Sequence, residues 1–275
     1  MSVPTMPITK YHQIYLVLRE QLVEGRFSNG VPGEVALMQQ FGVARVTVRR
    51  ALEQLAAEGL ISREPGRGTR SLLPSDNLAL SASNAPAFAP AFAEKGQRAG
   101  LTGLLENLVS MSQQTTVKVL EVESVSASAA VAEALQILTG ATVQKAIRVR
   151  STKEGPLSHI TTHVPGDIAR RFGRRELAKK PILVLLEESG VTVGRAQQTI
   201  SARLADVQVA RHLDIAVGSA LLAVRRLIFD NKERPIQWLH GLYRPDRYEY
   251  EMQLSRVGSI DAKVWVSEDL SAKFN

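Results

Sequence analysis

The chain contains no cysteine among its 275 residues. Disulfide bonds and thiolate metal sites are therefore excluded, and the composition fits a reducing compartment. No apolar run approaches the roughly 20 residues that span a bilayer. The N-terminus lacks a basic start followed by an apolar segment, so no secretory signal is visible. These absences predict a cytoplasmic protein with no membrane partner.

The sequence also lacks the common signatures of catalysis. It has no Gly-x-Ser-x-Gly elbow, phosphate-binding loop or dinucleotide fingerprint. None of the five histidines has the H-x-x-x-H spacing of a zinc site on a helix. His159 and His163 are four apart but fall on a predicted strand, where four residues span about 13 Å. We therefore predict no enzymatic activity, no metal and no cofactor.

Positive charge is present in excess. The formal net charge is +7 and the sequence pI is about 9.8, which favours a polyanionic partner without specifying which one. The length of 275 residues exceeds a typical single domain of roughly 100 to 150 residues. Two domains are predicted.

A helix with two distinct faces is predicted near residue 50. Its apolar positions have the i, i+3, i+4, i+7 spacing of a stripe that faces a core, and they are Val48, Ala51, Leu52 and Leu55. Arg45 and Arg49 share another, outward face. On its own, this pattern is also typical of an ordinary solvated helix face.

The flanking segments complete a known arrangement. Gly42 permits a tight turn after a short helix that ends near Phe41, and Gly59 can close the second helix in the left-handed conformation. Pro65-Gly66 then turns a strand back beside Arg67. Because a duplex requires one helix in the major groove and a second element on the phosphate backbone, this order predicts a DNA-binding winged helix.

The same segment resembles the GntR family of bacterial transcription regulators. The matching motifs are Gly25-Arg26-Phe27, Pro32-Gly33-Glu34, Phe41-Gly42-Val43, Arg45, Thr47-Val48-Arg49, Ala51-Leu52, Glu58-Gly59-Leu60-Ile61 and Gly66-Arg67-Gly68-Thr69. The resemblance implies base or phosphate contacts for Arg45 and Arg49, and a phosphate contact for Thr47. The implied DNA-contacting set is Ala44, Arg45, Thr47, Arg49, Arg50, Gly66 and Arg67, with the last two in the minor groove.

This sequence departs from the family pattern at two positions in the first domain. Val35 stands where many members have a DNA-contacting basic residue, and Ala44 replaces the usual serine or threonine. We expect the operator sequence to differ accordingly.

Composition divides the chain into four segments. Residues 1–72 are predicted to form the winged helix, and residues 73–98, poor in charge and periodicity, a linker. Phe88 and Phe92 within it have the spacing of one helical turn packed against a domain. Residues 99–257 are predicted to form the second domain, followed by a tail of residues 258–275 that the sequence does not assign.

The second domain contains an internal duplication. A strand, a helix and two further strands follow one another between Val117 and Pro165, and the same order recurs between Thr199 and Pro245. Two such halves predict one sheet with a pseudo-twofold arrangement and helices on one face. The predicted fold class is therefore α+β.

Two arginines in this domain are candidates for binding an anion. Arg148 and Arg150 are two apart on a predicted strand, so both point to one face, where paired guanidinium groups can hold a phosphate or carboxylate. The alternative is that they are solvated strand charges or ion-pair partners of Glu121, Glu123 or Glu154. Spacing alone leaves both interpretations open.

Residues from about 100 to 257 resemble the ligand-sensing UTRA domain of the HutC subfamily, which has a chorismate lyase-like antiparallel sheet with helices. Among the matching motifs are Arg148-Val-Arg150, Gly155-Pro156 and Pro235-Ile-Gln-Trp238. The resemblance implies an effector pocket between the halves. The implied effector contacts are Arg148, Arg150, Tyr243, Gln237, Thr102, Gly103, Leu104 and Leu105.

Three departures bear on the effector. Gln237 and Ile160 stand where sugar-binding members usually have glutamate, and Pro181 stands where a hydroxyl residue is common. Because Ile160 cannot accept hydrogen bonds from sugar hydroxyls, an amino-sugar phosphate is disfavoured. The retained arginines predict a small acidic metabolite, such as an organic acid, a phosphonate or a phosphorylated compound.

The sequence predicts a homodimeric repressor that binds a palindromic double-stranded operator and is released by its effector. Two alternatives remain open. An enzyme would use the chorismate lyase-like cleft to bind a dicarboxylate substrate, and a general nucleic-acid binder would show salt-dependent affinity with little sequence preference. Effector identity, operator sequence and the sign of regulation are not determined by the sequence.

Overall fold

The computed structural model describes residues 9–23, 25–27, 30–64, 68–73, 115–257 and 264–273. The chain divides into two compact units. The first unit comprises Met1–Ala89 and Leu204–Ala220, and the second comprises Pro90–Arg203 and Leu221–Asn275.

The N-terminal part of the first unit is a helical core followed by a β-hairpin. Its elements are α1 (Lys10–Val23), α2 (Glu34–Phe41), α3 (Arg45–Ala57), β1 (Ile61–Glu64) and β2 (Gly68–Ser71). The predicted apolar stripe of α3 is buried and packs with residues of α1 and α2 such as Leu18 and Leu37. This arrangement confirms the predicted winged helix.

Two glycines set the geometry around α3. Gly42 has φ 63° and ψ 41°, and its N–H donates to the Met38 carbonyl at 2.9 Å, which ends α2 and turns the chain into α3. Gly59 has φ 69°, and the following Leu60 N–H donates to the Leu55 carbonyl at 3.0 Å. Both left-handed positions favour glycine, as predicted.

The first unit also contains α8 (Val207–Leu213), a helix from much later in the chain. Asp206 caps it by accepting a hydrogen bond from the Val209 N–H at 2.9 Å. Two polar contacts hold this segment within the unit. Glu20 accepts from the Leu204 N–H at 3.0 Å, and the Arg26 guanidinium lies 3.0 Å from the Asp206 carboxylate.

A six-stranded sheet organises the second unit, with strand order β3-β4-β5-β8-β7-β6. The strands are β3 (Thr116–Ser126), β4 (Thr142–Thr152), β5 (Gly155–Pro165), β6 (Val193–Leu204), β7 (Ala220–Asp230) and β8 (Pro235–Tyr243). Because β3, β4 and β5 are mirrored by β6, β7 and β8 about the central β5–β8 pair, the predicted duplication and sheet are confirmed.

Helices pack on both faces of this sheet. Val143 and Leu227 pack with α4 (Ala129–Leu135), whereas Ala146 and Ile228 pack with α5 (Gly166–Ala169), α6 (Arg174–Lys179) and α7 (Ile182–Glu188). Neighbouring residues of a strand point to opposite faces, so α4 lies on one face and α5 to α7 on the other. The prediction of helices on one face was wrong, because it took no account of the helices formed between residues 166 and 188.

A separate hairpin follows the sheet. β9 (Glu249–Val257) pairs antiparallel with β10 (Val264–Lys273), from Lys273 opposite Glu249 to Val264 opposite Val257. The segment after Gly258, left unassigned from the sequence, therefore contributes a strand. None of the helices within the described ranges is long and apolar enough to cross a membrane.

Candidate functional site

The outward side of α3 carries a cationic surface that we call the recognition face, formed by Arg45, Val46, Arg49 and Arg50. All four side chains are exposed, on the side of the helix away from the buried stripe. Val46 is the most exposed large apolar residue among the described residues of this unit, at 73%. The face combines guanidinium donors with one apolar group.

Arg45 is held in place by an acidic residue of α2. Its Nε lies 2.7 Å from Glu34 Oε2, and the other oxygen of Glu34 accepts from Arg63 Nη2 of β1 at 2.5 Å. The hydrogen bond from Arg45 lowers the pKa of the Glu34 carboxyl, and Arg63 adds to that effect. Glu34 therefore stays ionised and fixes the start of α3 relative to the hairpin.

The other arginines of the recognition face have weaker local partners. Arg49 forms an i, i+4 ion pair with Glu53 at 3.2 Å, with both side chains largely exposed. The Arg50 guanidinium lies 4.0 Å from the centre of the Tyr11 ring, a cation–π contact. Exposed pairs of this kind contribute little to stability, so these groups can exchange their partners for phosphate or base atoms.

The remaining residues predicted to contact DNA differ in exposure, and two of them lie outside the described residues. Ala44 is exposed at the N-terminus of α3 and gives no side-chain cap, and Thr47 in the first turn is half-buried. Gly66 and Arg67 lie outside the described residues. The strands that precede and follow them in the sequence are paired, with Glu64 opposite Gly68.

A second polar group of residues lies on one face of the sheet. Arg150 is paired with Ser158 of β5, and Ser158 is paired with Tyr243 of β8, while Arg148 lies two residues along β4. Alternation along each strand places the four side chains on the same face, and we call them the buried polar cluster. This confirms that Arg148 and Arg150 share a face.

Burial distinguishes Arg148 from an ordinary surface arginine. Arg148 is 4% exposed, and its Nε has no hydrogen-bond partner among the described residues. Arg150 donates from Nη1 to the Thr115 hydroxyl at 2.8 Å, while Glu121 pairs with Lys145 instead. The alternative of a solvated strand charge is therefore wrong for Arg148.

The cluster is poor in negative charge. Burial and then the neighbouring Arg150 lower the pKa of the Arg148 guanidinium from 12.5 to about 10, and burial also lowers the pKa of Arg150. Within the described ranges, no carboxylate forms an ion pair with either arginine. Two desolvated cations that pair with no carboxylate in the described part of the chain favour the binding of an anion.

Tyr243 is positioned by a glycine two residues before it. A Cβ added at Gly241 would lie 2.6 Å from the Tyr243 ring, so the ring lies over the strand where a side chain would otherwise stand. Tyr248 packs against Tyr243, with ring centres 4.4 Å apart. The orientation of Tyr243 therefore depends on the absence of a side chain at Gly241.

Gln237 lies on the same face but not beside the arginines. Gly241 is aligned with Arg148 across β5, and Gln237 is four residues further along β8, or about 13 Å. Gln237 is fully buried, and neither its amide oxygen nor its amide nitrogen has a partner in the described part of the chain. Thr102, Gly103, Leu104 and Leu105 lie outside the described residues.

Sequence reasoning missed two buried polar residues of this face. Ser158 is fully buried with an unpartnered hydroxyl in the described ranges, and Arg226 is 5% exposed, donating from Nε to the Gln198 side-chain oxygen at 2.8 Å. No sequence signal separated Ser158 from the other residues of β5.

Two other features do not coincide with this cluster. His159 and His163 lie on β5 as predicted, and the described residues include no group of three His, Asp or Glu side chains suited to a metal. A groove of about 500 Å³ on the second unit is lined by Gln144, Asp167 and Arg234 among others, and shares no residue with the buried polar cluster.

Comparison with known families identifies both domains. Residues 10–70 match the model of the bacterial regulatory proteins of the gntR family, and residues 110–249 match the UTRA domain. The chain belongs to the UTRA-containing GntR family. Its members are transcriptional regulators rather than enzymes, with a DNA-binding helix-turn-helix domain and an effector-binding UTRA domain.

The similarity to two relatives extends over most of both chains. The chain is 24% identical to the transcriptional repressor NagR of Bacillus subtilis, over 91% of this chain and 97% of that protein. It is 29% identical to the regulator PhnF of Escherichia coli, over the same shares. The ligand-binding domain of a GntR-family regulator from Bordetella bronchiseptica is 30% identical, with a TM-score of 0.50, covering 52% of this chain and 93% of that one.

Proposed function

We propose that this GntR-family regulator binds a palindromic operator as a homodimer in the cytoplasm and that an acidic metabolite in the UTRA domain releases it. The recognition face of α3 enters the major groove, and the β1–β2 hairpin contacts the adjacent backbone and minor groove. The observation that carries the effector assignment is the buried guanidinium of Arg148, whose Nε has no hydrogen-bond partner among the described residues.

The recognition face supports base contacts. Arg45 and Arg49 are at the N-terminal half of the helix, the part that contacts base edges in helix-turn-helix proteins. Glu34 holds Arg45 by one bond to Nε, which leaves its terminal nitrogens available for guanine O6 and N7. Arg45 is therefore both oriented and free to donate.

Replacing Arg45 with alanine tests this assignment. Since a bidentate guanine contact contributes about 1 to 3 kcal/mol, Arg45→Ala should lower the preference for operator over random duplex about 10-fold to 100-fold. Arg19→Ala is the matched control, because Arg19 is an exposed arginine of α1 that forms a long ion pair with Glu58 at 3.8 Å. Fluorescence anisotropy at one salt concentration measures both variants. An unchanged preference in Arg45→Ala would refute the assignment.

The buried polar cluster supports an acidic effector. A phosphate, phosphonate or carboxylate can accept hydrogen bonds from Arg148, Arg150, Ser158 and the Tyr243 hydroxyl. Binding would supply the negative charge that the desolvated guanidinium groups lack. A neutral ligand would leave that charge uncompensated.

Gln237 extends the proposed ligand beyond its acidic group. Its amide offers one acceptor and two donor hydrogens at about 13 Å along the sheet from the position aligned with Arg148. A ligand with an acidic group at one end and a hydroxyl or amide at the other would bind both the arginines and the Gln237 amide. A glutamate at this position would accept hydrogen bonds only.

Arg148→Ala tests the effector assignment in the full-length chain. A thermal-shift screen of organic acids, phosphonates and phosphorylated metabolites identifies ligands, because binding raises apparent stability by mass action. Calorimetry of the best ligand should then show binding to the natural protein and none to Arg148→Ala, with operator affinity unchanged. Arg234→Ala removes an exposed arginine of the same unit and serves as the control. Equal ligand affinity in Arg148→Ala would reject the site.

A further inference from the structure

Val46 occupies the centre of the recognition face. Arg49 and Arg50 follow it at i+3 and i+4, so all three share one side of α3. The buried stripe lies on the opposite side of the helix. The residue that points most directly away from the core is therefore apolar, with arginines on either side.

Packing and helix formation do not account for a valine at this position. At 73% exposed it adds no burial to the core, and a β-branched side chain is slightly unfavourable in a helix. A single exposed valine is common on protein surfaces. The location of Val46 distinguishes it, because it is the second residue of the helix that enters the major groove.

Only one kind of base-edge group in the major groove is matched to such a side chain. Val46 has two methyl groups and neither donates nor accepts a hydrogen bond. Thymine presents its C5-methyl group in the major groove, whereas guanine, adenine and cytosine present donors and acceptors there. An apolar residue therefore favours thymine over the other bases.

We infer that Val46 is a specificity-determining residue that contacts the 5-methyl group of a thymine in each operator half-site. This inference rests on the proposed insertion of α3 into the major groove. The flanking arginines hold the helix against the duplex, so that water is excluded from the contact between the methyl groups.

The test removes the methyl group from the DNA and from the protein separately. An operator is first selected from a random duplex pool with the full-length protein, and each thymine is then replaced by deoxyuridine, which differs only in lacking the methyl group. Loss of one methyl contact should weaken binding about fourfold at one thymine position of a half-site. Val46→Ala should bind the unmodified operator about fourfold more weakly and no longer distinguish thymine from deoxyuridine there.

Val23→Ala is the matched control, since Val23 is another exposed valine of the same unit, on α1. It should behave like the natural protein with every duplex. The same deoxyuridine sensitivity in Val46→Ala and the natural protein would overturn the inference, as would a selected half-site without a sensitive thymine. If Arg49→Ala also left operator preference unchanged, the proposed placement of α3 would fail as well. If Arg49→Ala lost operator preference while the Val46 result contradicted the inference, only the inference about Val46 would fail.

Discussion

Arg148 shows how a single residue can indicate a ligand. An arginine on a sheet surface is usually solvated, but this guanidinium is buried, and its pKa is lowered by desolvation first and by Arg150 second. Burying a charge without a counter-charge destabilises a fold. The burial of Arg148 therefore lowers the stability of the fold and leaves the Nε donor without a partner in the described residues. Both observations favour a role in ligand binding over a role in folding.

His163 provides a residue-scale prediction about pH. Burial, aided by the positive charge of Lys145, lowers the pKa of His163 from 6.5 to about 4. Between these values the unfolded chain binds a proton that the folded chain does not, so the free energy of unfolding should fall as the pH is lowered from about 6.5 to 4. Urea titrations followed by tryptophan fluorescence at pH 7 and pH 5 measure this loss.

The control for that prediction is His163→Gln, which removes the titrating group. The variant should show a smaller loss of stability between pH 7 and pH 5 than the natural protein. Lys145 is paired with Glu121 at 2.5 Å, and this neighbouring ion pair remains in both proteins. An identical pH dependence in the two proteins would contradict the assignment to His163.

At the scale of elements, the turn between α2 and α3 determines where the recognition face points. Gly42 ends α2 with φ 63°, and a Cβ there would meet no atom within 4 Å. Gly42→Ala should therefore destabilise the first unit only through its backbone conformation, by about 1 to 2 kcal/mol. Chemical denaturation measures the change.

Gly33 offers a matched control at the other end of α2. Its φ is −66°, and a Cβ there would also meet nothing within 4 Å. Gly33→Ala should leave stability unchanged or raise it slightly, because alanine restricts the unfolded chain. Equal effects of the two substitutions would show that the left-handed turn is not what Gly42 provides.

Local patterns predicted most of the winged helix. The stripe from Val48 to Leu55 and the two left-handed glycines depend on residues close in sequence, so their spacing was sufficient. The contacts of Glu34 were not predicted, because Arg45 and Arg63 are 11 and 29 residues away and meet it only after folding.

In the second unit, too, local patterns predicted some features, whereas others depend on residues distant in sequence. The duplication and the shared face of Arg148 and Arg150 follow from periodicity along the chain. The separation of Gln237 from the arginines depends on strand register, which the sequence did not provide. The burial of Ser158 depends on helices and strands distant in sequence.

At the scale of the whole molecule, regulation requires the effector to change operator affinity. A homodimer on a palindrome places two copies of α3 about 34 Å apart. A ligand that favours a different separation lowers operator affinity by the coupling free energy, typically about 1 to 3 kcal/mol. The coupling is reciprocal, so operator DNA should also weaken effector binding.

The most direct test is an operator titration of the full-length protein with and without a saturating acidic effector found in the thermal-shift screen. We predict that the effector weakens operator binding about 5-fold to 150-fold in the natural protein and has no effect in Arg148→Ala. An operator affinity that stays the same with every ligand bound by the second unit would contradict the account.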